Sequence, residues 1–482
     1  MAADEETCEA KRDERRGERG DNVHGGSVGD SGRGTWRRGH AVHRDLPARG
    51  AWAIPPQATV RRLRRMRVPL RDRLGPLAER DFRLLFSATT ITSLGDSLGH
   101  IALAFAVLEL PGGGPRDLGI VLGVRIAVES LVVVGGGVLS DRLPRSVILV
   151  GASLTQAVAQ AAIAALVLTG EATTGLLVAF SVLYGIGGGM VIPAEVGLVP
   201  QTVPAEQLQQ ANALQGLSRN VVSLLGPAVG GALIVAGSPG TALAVDAATF
   251  LLCTLLLARI RVGVRPADLA RERFLHELRE GWSEFRRHDW LWSSVLLFGV
   301  SNLAFVGCWS VLGPVVAKEQ LGGASAWATV LVAAGAGSIV GGLVALHYRP
   351  RRPLLACCLV AWPIMLEVLG LALGVPVWLL VCCAFAAGMG IAIHLALWFT
   401  VFQREVPEHA QSRVSSYDVL GSFVLIPVGM AIAGPLSETI GVTETLWAGL
   451  AVMLAMQIAI VCVPGVRHLR APYSEPDTVG VR

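Results

Sequence analysis

Charge is scarce in this sequence. Asp, Glu, Lys and Arg make up only 16% of its 482 residues, against 52% hydrophobic residues, too little charge to keep a chain of this length dispersed in water. Its eight cysteines do not form a framework. Cys8 alone lies in a polar segment, while Cys253, Cys308, Cys357, Cys358, Cys382, Cys383 and Cys462 sit inside apolar runs as small hydrophobes, which excludes a disulfide scaffold or a cysteine metal site. Neither HExxH nor GxSxG occurs, so an intramembrane hydrolase or transferase has no recognisable nucleophile and base, and no enzyme or cofactor is expected. No phosphate-binding P-loop occurs either, which argues against ATP as a drive.

What the sequence has instead is apolar length. Runs of roughly twenty residues, enough to span a bilayer as helix, recur from Phe82 to Pro464, and only a helix or a closed barrel satisfies its own backbone in lipid. Breaks at Gly, Pro and charge give twelve expected helices, at about 82–110, 118–140, 146–169, 174–199, 212–236 and 240–258, then 290–316, 326–347, 353–374, 376–402, 414–438 and 442–464. The connectors alternate in charge. One set carries Arg142 and Arg145, the run of arginines from Arg259 to Arg287, Arg349, Arg351 and Arg352, Arg404 and Arg413, and Arg467 and Arg470; the other holds only Arg116 and Lys318. Positive residues mark the cytoplasmic side, so a multi-pass protein of the cell (inner or plasma) membrane with both termini cytoplasmic is expected. The net charge of +4 thus points to a lipid bilayer as partner and not to nucleic acid.

Residues 1–75, rich in Arg, Gly and acids, read as a disordered cytoplasmic tail. They contain no secretory signal pattern, and the basic lead-in around Met66 makes a start there an expectation, which a peptide from residues 1–60 in native material would refute. Residues 76–258 form one expected six-helix half and 290–465 the other, with a linker at 259–289 and a cytoplasmic tail at 466–482. In the linker, Phe274, Leu278, Trp282 and Phe285 recur at helical spacing; an amphipathic helix on the inner leaflet and a linker helix packed on protein both fit. The halves echo each other. Gly136-Gly137 before Pro144-Arg145 recurs as Gly341-Gly342 before Pro350-Arg351, Val203-Pro204 as Val406-Pro407, and Pro227-Ala228-Val229-Gly230 as Pro427-Val428-Gly429, at offsets of about 200 residues.

The loop after the second run carries Gly137-x-Leu139-x-Asp141-Arg142-x-x-Arg145, which resembles the loop signature of the major facilitator superfamily. The resemblance covers about residues 80–465 and implies an all-α membrane protein of twelve transmembrane helices in two pseudo-symmetric six-helix halves. It also implies that Asp141, with Gly137, Arg142 and Arg145, latches the halves in an outward-facing state; a topology-setting charge cluster is the plainer reading. The second-half copy, GGLVALHYRPRR, has Leu346 in place of the aspartate, so a latch is expected on one side only. Gly226-Pro227-x-x-Gly230-Gly231 is similar to the motif of proton-linked exporters of that superfamily, although glycines also simply pack membrane helices. The stretch LVPQTVPAEQLQQANALQGLSRNVVSLLGPAVGG, with RVSSYDVLGSF, looks like the branch of enterobactin exporters and related drug efflux proteins.

Charges inside the membrane carry the rest. Asp96 lies roughly 21 Å along the first helix, and Arg125 and Glu129, on one face of the second, about 10 and 16 Å from its outer end. Three such charges cost roughly 8–10 kcal/mol unless paired or hydrated. Mutual pairing in a wet cavity is the simplest expectation, with Arg219 and Asn220 as further partners, Asp96 or Glu129 as proton carrier and Arg125 tuning it; structural roles for all of these stay open. Asp246, near the outer end of the sixth run where water is close, reads as a capping or packing residue, and Glu367 as a buried acid. His394 and Trp398, at i and i+4, are candidate substrate contacts or satisfied core residues. The expected function is export of a small amphipathic organic molecule by proton antiport with alternating access, by a monomer. A proton-coupled importer, and less so a channel or receptor, are the alternatives.

Overall fold

The computed structural model describes residues 75–140, 144–261, 279 and 281–469. The tails, most of the linker, and Asp141 and Arg142 lie outside them. The chain is helical throughout these residues. In the first half run α1 (Arg80–Leu108), α2 (Pro115–Ser140), α3 (Arg145–Thr169), α4 (Thr174–Thr202), α5 (Leu208–Ala236) and α6 (Pro239–Leu257). In the second run α7 (Asp289–Leu321), α8 (Ala324–Ala345), α9 (Pro353–Leu373), α10 (Val377–Glu405), α11 (Arg413–Ile440) and α12 (Val442–Cys462).

Among the described residues, eleven stretches are long and apolar enough to cross a membrane. The helix carrying Arg125 and Glu129, α2, is not one of the eleven, although it is 26 residues long. The sequence punctuates these helices as capping chemistry dictates. Gly170, at φ 77°, ends α3 in the left-handed region that a side chain would resist, and Ser238 with Thr241 caps the start of α6 reciprocally around Pro239. Interior prolines Pro193, Pro200, Pro227 and Pro435, the break before Pro363 in α9 and the wide turns at Gly307–Leu312 and Ala317–Leu321 in α7 keep the helices from being straight rods.

Packing repeats with a period of six helices. Within the first half α1 packs on α5 and α6, α2 on α4, and α3 on α4 and α6; within the second α7 packs on α11 and α12, α8 on α10, and α9 on α10 and α12. The matched pairs α2–α4 and α8–α10 use the same device. A side chain at Gly185 would meet the Arg125 carbonyl, and one at Gly189 the Glu129 carbonyl; likewise Gly337 faces the Phe385 carbonyl and Gly341 that of Met389. Glycines four residues apart let backbones touch, which is how helices associate where lipid removes the hydrophobic drive.

The halves meet through α2 with α11 and α5 with α8, toward the end where α1 passes to α2. Gly119 and Gly123 lie against Met430, Pro427 and Ala431, Gly231 against Ala328, and Lys318 Nζ donates to the Leu108 carbonyl. One apolar cluster spans both halves at this far end, from Leu103, Leu118 and Leu243 to Val311, Trp327 and Met430. At the near end, where α1 begins and α12 finishes, there are two separate clusters: Phe82, Leu149 and Leu198 in the first half, Trp290, Leu354 and Val401 in the second. Of the linker aromatics, Phe285 is buried and stacks with Trp282 and Tyr417, ring centroids 5.7 and 5.8 Å away. That contact packs the described end of the linker on α11; Phe274 and Leu278 lie outside the described residues.

Candidate functional site

Each half holds a cavity. In the first, Asp96 of α1 stands at the centre of a polar cluster. Its Oδ1 accepts from Arg125 Nη2 at 3.4 Å and from the Tyr184 hydroxyl of α4. The Arg125 side chain, 1% exposed, lies with its Cζ 3.3 Å from the centroid of the Tyr184 ring, so the guanidinium is held by a carboxylate and an aromatic face together. His100, one turn along α1, places Nδ1 2.7 Å from the Asp96 carbonyl and 3.6 Å from its carboxylate. Asp96 itself is 41% exposed, because it lines a cavity of about 230 Å3 with Ser93, Glu129, Gln156 and Glu195.

Of the mutual pairing expected among the three charges, the contact between Asp96 and Arg125 is present. Arg125 turns to Asp96 across the helix pair and makes no ion pair with Glu129 on its own helix, since stacking on Tyr184 fixes the guanidinium toward α1. Two of its donors, Nε and Nη1, are buried without an acceptor. Arg219 and Asn220 are exposed on α5 and do not line the cavity. Glu195 instead receives Gln215 Nε2 at 3.4 Å.

Asp246 is a packing residue, but away from water: it is fully buried, its carboxylate lodged in the notch left by Gly95 and Gly99 of α1 and accepting from Gln160 Nε2 at 2.7 Å. The missing side chains at Gly95 and Gly99, at i and i+4 around Asp96, were the signal that a polar group from another helix would fit there. Nothing in the sequence marked Tyr184, which reads as one more apolar residue of α4.

The second-half cavity, about 300 Å3, has different walls. Phe298, His394, Trp398 and Asp418 line it. Phe298 meets His394 and Trp398 edge-on, centroids 4.9 and 5.9 Å apart. Trp398 Nε1 donates to Asp418 Oδ2 at 3.0 Å, and His394 Nδ1 lies 3.0 Å from the Cys357 carbonyl. His394 and Trp398 are therefore both hydrogen-bonded and cavity-facing. Glu367 is 2% exposed and does not line the cavity.

The helix-five glycines serve contacts on two sides. Gly226 and Gly230 face Ser97 and Leu98 of α1, while Gly231 faces Ala328 of α8 in the other half, with Pro227 buried between. Of the loop motif, Gly137 falls in the last turns of α2 and Arg145 opens α3, its guanidinium against Gly197 of α4; a latch through Asp141 and Arg142 lies outside the described residues.

Comparison with known proteins adds three findings. Residues 72–476 match the profile of the family described as transmembrane secretion effector, of the major facilitator superfamily. The chain is 24% identical over 341 residues to macrolide efflux protein A of Streptococcus pyogenes, covering 69% of this chain and 83% of that one, and 25% identical over 410 residues to the enterobactin exporter EntS of Citrobacter koseri, covering 82% and 95%. A bacterial homologue of the human lysosomal transporter Spinster, in an inward-facing and occupied conformation, shares the fold with TM-score 0.62 at 15% identity, over 81% of this chain and 98% of that one.

Proposed function

We propose an exporter, on the premise that the chain belongs to the transmembrane secretion effector family of the major facilitator superfamily. It is a multi-pass membrane transporter and not an enzyme. Its cargo is a small amphipathic organic molecule, moved outward in exchange for protons as the halves expose a central site to one side at a time, with both termini in the cytoplasm and α2 completing a set of twelve spans. The near end, where the two halves keep separate cores, is the cytoplasmic opening.

The observation that carries this reading is the Asp96–Arg125–Tyr184 cluster on the wall of a cavity within the spanning helices. Two unit charges 4 Å apart attract by about 4 kcal/mol at an effective dielectric of 20, less here because Asp96 keeps part of its hydration. A proton arriving on Asp96 removes that attraction. Arg125, released from that carboxylate, then turns to Glu129, four residues along its own helix. The same helix carries Gly119 and Gly123, on which α11 rests across the seam between halves. Proton binding is thereby coupled to the contact that holds the far end shut. One charge moving through 100 mV supplies about 2.3 kcal/mol.

The test is reconstitution. In proteoliposomes carrying a fluorescent lipophilic drug, a pH gradient should drive saturable, outward-equivalent flux accompanied by proton movement, and Asp96→Asn should reduce it to that of empty vesicles at equal protein content. Undiminished gradient-driven flux in Asp96→Asn removes the cluster from the mechanism; unsaturable current would make the protein a channel.

A further inference from the structure

The acid of the second-half cavity lacks what every other feature of its surroundings implies it should have. Asp418 is 7% exposed, and what exposure it keeps faces the cavity it lines. Its carboxylate receives the Trp398 indole N–H at 3.0 Å and the Ser422 hydroxyl. Both are neutral donors, and among the described residues no Lys, Arg or His pairs with it. In the first half the cavity acid, which lies on a different helix of the plan, is paired: Asp96 has Arg125 and, within 3.6 Å, His100. An acidic side chain among membrane helices that is not paired internally is a site for something that comes and goes. The walls say what. Phe298, Phe305, Phe399 and Phe423 line the same cavity as Asp418 and its partner Trp398, and aromatic faces attract cations as well as apolar groups. The volume, about 300 Å3, is at the low end for small-molecule pockets.

We infer that the second-half cavity binds a lipophilic, aromatic amine in its protonated form, with Asp418 as the counter-ion and the aromatic rings around its apolar body. The inference deepens the exporter reading and rests on it for the direction of travel. The protonated nitrogen donates to the Asp418 carboxylate, which stays positioned by Trp398 and Ser422; no bond is made or broken. The first-half cluster then handles the proton and the second half the cargo, so that the two positive species compete for the protein without sharing one acid.

Equilibrium binding without any gradient tests this separately from transport. The probes are dansylcadaverine, a fluorescent aryl amine, and its N-acetyl derivative, identical in its aromatic part but uncharged. Wild-type protein in nanodiscs should bind the amine at least about tenfold tighter than the acetyl derivative, a difference of about 1.4 kcal/mol. In Asp418→Asn that gap should close while the acetyl derivative still binds, which also shows that the cavity is intact. Asp418→Glu, which keeps the charge, should keep the gap and serves if Asp418→Asn does not fold. No gap in the wild type, or an unchanged gap in Asp418→Asn, overturns the inference. If proton-driven flux is lost in Asp96→Asn while the gap persists in Asp418→Asn, the exporter reading stands and this assignment alone falls.

Discussion

The two halves use one helical plan and opposite electrostatics. In the first, an acid, a buried arginine, a tyrosine and a histidine cluster around a polar cavity. In the second, an acid held by an indole and a hydroxyl looks out among aromatic rings. Internal repetition therefore preserved the packing, including glycines four residues apart at the α2–α4 and α8–α10 crossings, and let the cavity walls diverge. Backbone contacts constrain the fold, whereas a cavity wall is free to change because nothing packs against it.

Four measurements would break or sharpen that contrast. The largest effect belongs to Arg125→Ala, which strands the Asp96 charge and the Tyr184 ring; thermal unfolding in detergent should show a loss of about 3 kcal/mol, and a loss smaller than that of any second-half cavity variant would undo the comparison. Gly231→Leu comes next. A side chain there meets Ala328 across the seam, so overpacking should cost about 1–3 kcal/mol and lower disulfide cross-linking between cysteines placed at Gly123 and Ala431. Trp398→Phe removes one hydrogen bond to Asp418 and should destabilise by about 1–1.5 kcal/mol, read in the same unfolding assay.

The smallest effect lies outside the membrane. Arg287 Nη1, 2.9 Å from Glu284 Oε2, holds that carboxyl below its ordinary range chiefly by hydrogen bonding. A lowered folded value means that the pair stabilises above the ordinary glutamate value of about 4.3 and loses its effect as the pH falls through the lowered one. Arg287→Ala should therefore cost under about 1 kcal/mol at neutral pH and nothing in strong acid. An effect that grew on acidification would contradict the pairing.

Much of this was legible in the sequence, for identifiable reasons. Asp96, Arg125 and Glu129 stood out because charge in an apolar run is costly, and the glycine patterns near Gly136 and Gly341 announced the duplication. Helical periodicity placed Arg125 and Glu129 on one face but could not say which neighbouring helix the guanidinium would reach, and it reaches α1. Depth misled for Asp246: seven residues past the start of α6 suggested nearby water, yet Gly95, Gly99 and Gln160 enclose it. Asp418 sits in a stretch quoted for its likeness to exporters and drew no role of its own, since Ser415, Ser416 and Tyr417 beside it make a charge there look like part of a polar helix end.

The undivided apolar interior at one end, set against two walled-off ones at the other, gives the molecule two unlike fasteners. The far seam is closed by backbones in contact at small residues, which dissolved ions do not screen. The cavity walls carry Thr89, Ser93, Asp96 and Glu195 in one half and Asn302 and Asp418 in the other, and attraction between groups of that kind weakens as ions are added. Added salt should then loosen whatever those walls hold and leave the far seam as it is.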